Sequence, residues 1–406
     1  MLSREAELLL VMAGSLLGTF LLNLGLKRMK IPSIIAPLAL GLMLNYYFAA
    51  EIEHYLSPIA NLGVLVILFF IGLKVDFRFV KDFSRNSLLI ASLSGLIPFV
   101  LGFIAGFIYS HNLIVSIFVG IALSITAEEV SISILDELKL LQKRLGQVII
   151  ESGIIGDIFE ISAVALLGFF VKAKTDGITL LGTIFFDLAL FVMLVFAIRY
   201  VLLELMFRAI GETPRSYEIF AVSLSILFLL SFVSEVLSFS YILGALMAGI
   251  MLKDKLISGK HYNFEHQVTS SLETFIFAFF EPLVFIYIGV LIRMDVLLSN
   301  LMFGGILTVL ALSGKLLGAM LGDILAKGNV SEGLIIGWGL NSRGATELFT
   351  VLVAQNQGII GKDVFSAVVF MALITTLISP VIFRNLVSGI YSEKNSNGTH
   401  KGIRDK

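Results

Sequence analysis

Three acidic residues, Glu151, Asp157 and Glu160, stand inside one apolar run, GQVIIESGIIGDIFEISAVALLGFFV at 146–171. A run of this length crosses a bilayer, and a carboxylate at bilayer depth costs about 2.5–3.5 kcal/mol even on the lenient insertion scale. Charge held there marks function. Asp157, near the middle with headgroup water out of reach of either end, reads as the binding group for a cation or a proton. Two other stretches carry charge at similar depth. IALSITAEEVSISIL (121–135) holds Ser124, Thr126, Glu128, Glu129, Ser131 and Ser133, while GWGLNSRGATELFTV (337–351) sets Arg343 and Glu347 among Gly339, Asn341, Ser342, Gly344 and Thr346. A fourth, LTVLALSGKLLGAMLGDILA (307–326), adds Lys315 about midway.

Glycines and short hydroxyl side chains favour an unwound backbone, which is tolerated at this depth only where it lines a polar cavity. Breaking a helix exposes two ends of opposite partial charge, each about half an elementary charge. Two broken helices that cross would place carbonyls and dipole ends around an ion. Ordinary Ser/Thr/Gly helix contacts would explain either stretch alone, but not Glu128, Glu129, Arg343 and Glu347 spread over both. The deep acids (Asp157, Glu160, Glu128, Glu129, Glu347 and Glu151) outnumber the deep bases Lys315 and Arg343, which favours a cationic substrate. Snorkelling accounts for single residues near span ends, not for a cluster drawn from four spans.

The remaining charges carry less. Asp187 and Glu281 lie in other spans, and Glu235, Glu273, Asp323 and Glu332 lie near span ends, where interfacial solvation suffices. His54, His111, His261, His266 and His400 fall in loops or the tail, so a histidine metal site is not expected. No phosphate-cradling glycine loop and no Ser/His/Asp grouping is present, so neither an enzyme nor a bound cofactor is indicated. The absence of cysteine excludes disulfides and thiolate sites. A net charge of -1 with no basic cluster interleaved with aromatics gives no sign of nucleic acid.

The elements that must position these residues are transmembrane helices. With 57% hydrophobic and only 15% charged residues, against about 25% charged in soluble domains, the chain is an all-α polytopic membrane protein. The twenty-residue rule gives thirteen spans, at roughly 6–26, 31–49, 58–75, 87–110, 112–135, 146–171, 178–207, 216–237, 239–252, 268–291, 298–326, 330–354 and 362–387. The first ends at Lys27, Arg28 and Lys30 without a small-residue cleavage site, and reads as a retained span. Lysine and arginine crowd the loops on one side, from Lys27 and Arg28 through Lys139, Lys143 and Arg144 to Arg384 and Lys406. The other side has only Arg4, Lys172, Lys174, Arg293 and Lys362. The bias puts the N-terminus outside and the C-terminus in the cytoplasm. Residues 388–406 read as a disordered cytoplasmic tail, in which the Asn397 sequon is chance. FFIGLKVDFRFV (69–80) and FIYIGVLIRMDVL (285–297) suggest an inverted repeat of two six-span halves joined by the seventh span.

On these residues the sequence resembles the monovalent cation:proton antiporter superfamily, which holds bacterial Na+/H+ exchangers and Kef-type potassium efflux proteins. TAEEVSISILDELKLLQKRLGQVIIESGIIGDIFEISAVALLG (126–168) is similar to its Thr-bearing unwound stretch and Asp-bearing helix. GKLLGAMLGDIL (314–325) and GLNSRGATELFTVLVA (339–354) are similar to its Lys-bearing helix and Arg-Gly-x-x-Glu block, and FFIGLKVD (69–76) and LGALMAGIML (243–252) to lesser signatures. The resemblance implies an elevator: a transporting core at 87–171 and 298–387 with the two crossed unwound helices, a scaffold at 1–75 and 216–291 that forms a homodimer, and a linker helix at 178–207. It implies that Asp157 binds Na+ or a proton with Thr126 in the unwound stretch, and that Lys315 and Arg343 compensate charge. The residues themselves add Glu128 and Glu129 as binding candidates and Glu151, Glu160, Glu347, Gly156 and Ser342 as support.

One departure matters. The residue before the essential aspartate is Asp, Asn or Gln in the family's main branches and is Gly156 here. A single carboxylate at that pair favours electroneutral exchange of Na+ for H+ across the plasma (inner) membrane, with no cofactor beyond the transported ions. Glu128 and Glu129, where many relatives carry Thr or Ser, would reverse that if either acts alongside Asp157. The alternatives are Kef-type potassium efflux, disfavoured without a following nucleotide-binding domain, and an organic-solute-binding member whose pocket Gly156 enlarges.

Overall fold

The computed structural model describes residues 3–28, 33–74, 84–156, 159, 189–211, 215–237, 241–258, 262–292 and 294–399. Asp157, Glu160, Asp187 and the side chain of Glu129 lie outside the described residues. Among the described residues every regular element is helical. The chain divides into two compact units, one formed by Met1–Phe79 and Ser162–Leu291, the other by Val80–Ile161 and Ile292–Lys406.

The first unit is built on α2, a helix of 40 residues over Ile35–Lys74. The two spans read at 31–49 and 58–75 run together in it, over about 60 Å at 1.5 Å per residue. The segment between them, AEIEHYLS, has no glycine, and Pro58 is held inside the helix. Against α2 pack α1 (Arg4–Arg28) and the helices at 241–258, 262–275 and 281–291, while the helix at 216–236 packs on the one at 241–258. In chain order the later helices of the unit are α7 (Ala189–Ile210, with a π-helical turn at Ile198–Leu202), α8 (Ser216–Val236), α9 (Tyr241–Ser258), α10 (Tyr262–Phe275) and α11 (Glu281–Leu291). A second π turn, Ile276–Phe280, joins α10 to α11. Glycine meets glycine at two close crossings. A Cβ on Gly41 would stand 2.9 Å from the Gly289 Cα, and one on Gly72 would stand 3.2 Å from the Gly249 Cα. Small residues let transmembrane backbones approach in this way.

The second unit comprises α3 (Arg85–Ser110), α4 (Leu113–Ser124), α5 (Glu129–Glu137), α6 (144–156), α12 (Met294–Ser299), α13 (Leu301–Leu325), α14 (Val330–Gly339), α15 (Ala345–Asn356) and α16 (Lys362–Thr399). Helix α13 lies centrally. Its stripe Gly314, Gly318 and Gly322 packs on the α3 backbone at Pro98, Ser94 and Ile90, with virtual Cβ distances of 2.6–2.8 Å. At one end an apolar cluster joins α5, α6, α13, α14 and α16 through Leu135, Leu145, Ile149, Ala319, Ile336 and Phe383.

Eight described helices are long and apolar enough to cross a membrane. The other stretches read as spans fall short for identifiable reasons. Ile35–Asn45 is one end of α2, Leu243–Lys253 is the apolar part of α9, 112–135 and 330–354 are each broken in two, and α6 is described only to Gly156 and again at Phe159. Helix α16 continues to Thr399, past Ser388, where the polar composition suggests a tail without structure. Once the buried part of a helix exists, each added residue gains a backbone bond without a nucleation cost.

Candidate cation and proton site

The site forms where the two broken helices meet. Helix α4 ends at Ser124, Ile125 turns extended (φ -58°, ψ 146°), and α5 begins at Glu129. Helix α14 ends at Gly339, and α15 begins at Ala345 after the N-cap Gly344. The breaks touch through the Ala127 N–H, which donates to the Ser342 carbonyl at 2.9 Å.

A helix leaves its last four carbonyls without intrahelical partners. At the end of α4 the carbonyls of 122–125 all accept from buried cations. The Arg343 guanidinium donates through NH1 to the carbonyls of Ala122 (2.7 Å) and Ile125 (2.5 Å), and through NH2 to that of Leu123 (2.6 Å). The Lys315 ammonium donates to the Ser124 carbonyl at 2.6 Å and to the Thr126 hydroxyl. Both side chains are about 1% exposed. The helix end contributes the matching negative pole. The short Thr126 side chain therefore stands between an internal cation and α6, where it is the neighbour of Gly156, 3.8 Å from the point a Cβ there would occupy.

The second break is fastened differently. The Gly339 carbonyl accepts from Ser131 Oγ (2.6 Å), that of Asn341 from Ser379 Oγ (3.3 Å) and that of Arg343 from Thr376 Oγ1 (2.9 Å). Every donor there is neutral. In the first turn of α15 Glu347 is wholly buried, with its Oε2 3.6 Å from Arg343 Nε, and neither carboxylate oxygen accepts a hydrogen bond from the described residues. The hydroxyl of Ser342 is likewise buried and has no hydrogen-bond partner among the described residues. Glu128, the N-cap of α5, is buried against α6, its carboxyl filling the space a Cβ on Gly153 would need.

Of the residues singled out from sequence, the structure thus brings together Thr126, Lys315, Arg343, Ser342 and Glu347, and sets Gly156 and Glu128 beside the first break. It places Glu151 elsewhere, at the start of α3, where its Oε2 accepts the Ser84 N–H at 3.0 Å. Sequence reasoning missed three groups. The carbonyls of 122–125 carry no residue signature, Thr376 and Ser379 were hidden in an apolar span, and Asp323 was dismissed as interfacial. Asp323 is in fact fully buried, because α14 folds back over the end of α13 and Arg144 covers its carboxylate. The hydroxyls at Thr375, Thr376 and Ser379, spaced along one face of 362–387, were the available signal for that break.

Known proteins fit this architecture. The sequence profile of the family described as sodium/hydrogen exchanger, transmembrane, matches residues 9–389. The chain belongs to the sodium/hydrogen exchanger family. It is therefore an integral membrane protein of a transporter family, built for ion exchange across a membrane. Relatives of this exchanger-family chain include a Na(+)/H(+) antiporter of Enterococcus hirae, 24% identical over 90% of this chain and 94% of the relative. Another is the Na(+)/H(+)-K(+) antiporter GerN of Bacillus cereus, 27% identical over 94% of this chain and 96% of the relative. The fold is similar to that of the sodium proton antiporter MjNhaP1 from Methanocaldococcus jannaschii, with a TM-score of 0.66 at 15% identity, covering 95% of this chain and 98% of that one.

Proposed function

We propose that this chain is a secondary antiporter that exchanges a monovalent cation, Na+, for protons. The observation that carries the reading is the end of α4: an oxygen-lined helix terminus, buried in a membrane protein, already holds the chain's own ammonium and guanidinium. The Ser124 carbonyl and Thr126 hydroxyl are hard oxygen ligands that suit Na+ as well as an ammonium. Asp157, next to Gly156 in sequence, supplies the exchangeable negative charge, with Glu128 and Glu129, which follow Thr126 closely in sequence, as further binding candidates. Ser342 and Glu347 offer further oxygens near the second break. Competition for one site gives coupling, because the core crosses only when Asp157 is neutralised by a proton, a cation or Lys315.

The second unit acts as the moving core and the first as the scaffold of a homodimer, with 178–207 as the link. The reciprocal glycine crossings support an inverted repeat. The first half of α2 meets α11 at Gly41 and Gly289, and its second half meets α9 at Gly72 and Gly249. The plasma membrane with the C-terminus in the cytoplasm is the location the loop charges favour.

Asp157→Asn in proteoliposomes should abolish Na+-dependent proton movement, and full exchange by that variant would remove Asp157 from the mechanism. With Gly156 leaving one carboxylate at the aspartate pair, exchange is one-for-one. A net charge would couple to voltage by about 2.3 kcal/mol per 100 mV, so transport should not respond to an imposed potential.

A further inference from the structure

The buried carboxylate of Asp323 plays no part in the exchange scheme above. It lies on α13, about 12 Å along the helix from Lys315 at 1.5 Å per residue. One oxygen accepts Arg144 NH2 at 2.6 Å and the other accepts the Asn329 N–H at 3.0 Å. Arg144 NH1 reaches Glu332 at 2.6 Å in the first turn of α14, whose N-cap Asn329 accepts the Glu332 N–H at 2.8 Å. The turn is moulded to this carboxylate, since a Cβ on Gly328 would overlap it. Burial lowers the Arg144 pKa, but the hydrogen bonds and charges of Asp323 and Glu332 outweigh it, and the net direction is upward.

Arg144 opens α6, whose described residues run to Gly156, the residue before Asp157 in sequence. Its other flank is already tied: Glu151 accepts the Ser84 N–H, and Ser152 Oγ donates to the Ser87 carbonyl at 3.3 Å, both at the start of α3. Between the α6 start and α13 the apolar contacts of Leu145, Ile149 and Ala319 are non-directional and tolerate sliding. The forked guanidinium, held by a fully buried carboxylate on one helix and a second carboxylate on the next, does not.

We infer that Arg144 is a positioning residue for ion exchange: through Asp323 and Glu332 it fixes the register of α6 against α13, and so how Gly156 meets the Thr126 hydroxyl that the Lys315 ammonium holds. This rests on the exchange reading above. A neighbouring pair makes the contrast. Arg384 reaches Glu137 at 2.5 Å with side-chain exposures of 29% and 57%, a solvated pair that contributes little. Arg144 is itself 39% exposed, and it differs in that its partner Asp323 is 0% exposed.

The test is Na+-dependent proton flux in proteoliposomes of the full chain, with Na+ and pH both varied. Arg144→Gln should raise the Na+ concentration for half-maximal exchange by about tenfold, the effect of losing a charge-assisted bond, and should shift the pH profile. Arg144→Lys should restore most of the loss, and Arg384→Gln should leave both readouts as in the parent. Because the chain has no cysteine, Arg144→Cys with Glu332→Cys can be joined by a short cleavable thiol cross-linker. Cross-linking should return the half-maximal Na+ towards the parent value and cleavage should remove the gain, in one folded sample. Folded Arg144→Gln protein with parental Na+ and pH dependence, or a cross-link that changes neither, would overturn the inference. If the parent chain itself shows no exchange, the exchange reading fails first; if it exchanges and these variants do not differ from it, only the role of Arg144 fails.

Discussion

The two helix breaks of the second unit have the same outline and opposite fastenings. At the first, the orphan carbonyls of 122–125 are held by Arg343 and Lys315. At the second, the carbonyls of Gly339, Asn341 and Arg343 are held by the hydroxyls of Ser131, Ser379 and Thr376. The hydroxyls are short and fixed to their helices, and Thr376 Oγ1 also lies 2.7 Å from the Ala372 carbonyl of its own helix. An ammonium on a flexible stem can withdraw and leave the oxygens to another cation. The proposed function puts exchange at the first break and support at the second, with Arg343 spanning both. Its backbone belongs to the second break and its guanidinium closes the first.

Substitutions can break this contrast. The largest effect on stability should come from Arg343→Ala, which strips three carbonyls of their donor and leaves Glu347 as a buried unpaired acid. A loss of about 3–5 kcal/mol is expected, seen as a sharply lowered thermal transition in detergent. If the variant stays as stable as the parent, Arg343 does not hold the two breaks together. Next in size, Thr126→Val keeps the shape of the side chain and removes one oxygen at the first break. It should raise the Na+ requirement of exchange by about tenfold with little change in stability. Thr376→Val makes the same change at the second break and should do the reverse, costing about 1 kcal/mol of stability while the Na+ requirement stays put. Similar effects of both on Na+ dependence would erase the distinction. Smallest should be Ser379→Ala, since its 3.3 Å bond to Asn341 is the longest of the set.

Much of this was legible in the sequence because the membrane makes charge conspicuous. Thr126, Lys315, Arg343 and Glu347 stand out from apolar surroundings, and the glycine and hydroxyl content of 121–135 and 337–351 marks the breaks. What the sequence hides is whatever composition does not encode. The carbonyls of 122–125 belong to any residue, so nothing in ALSI announces that Arg343 will bond them. Asp323 lies near a span end, and only the fold-back of α14 shows that it is dry. The junction of two spans in α2 was invisible because the connecting residues look like a polar loop yet lack any glycine to stop a helix. Glu151, equally conspicuous as an intramembrane acid, caps the start of α3 instead.

If Na+ and the Lys315 ammonium contend for the Ser124 carbonyl and Thr126 hydroxyl, removing the ammonium must favour the ion. Titrating purified Lys315→Met with Na+ at alkaline pH, where the carboxylates are ionised, measures this without transport. The account predicts half-saturation at lower Na+ than in the parent chain. Half-saturation unchanged or at higher Na+ would contradict it.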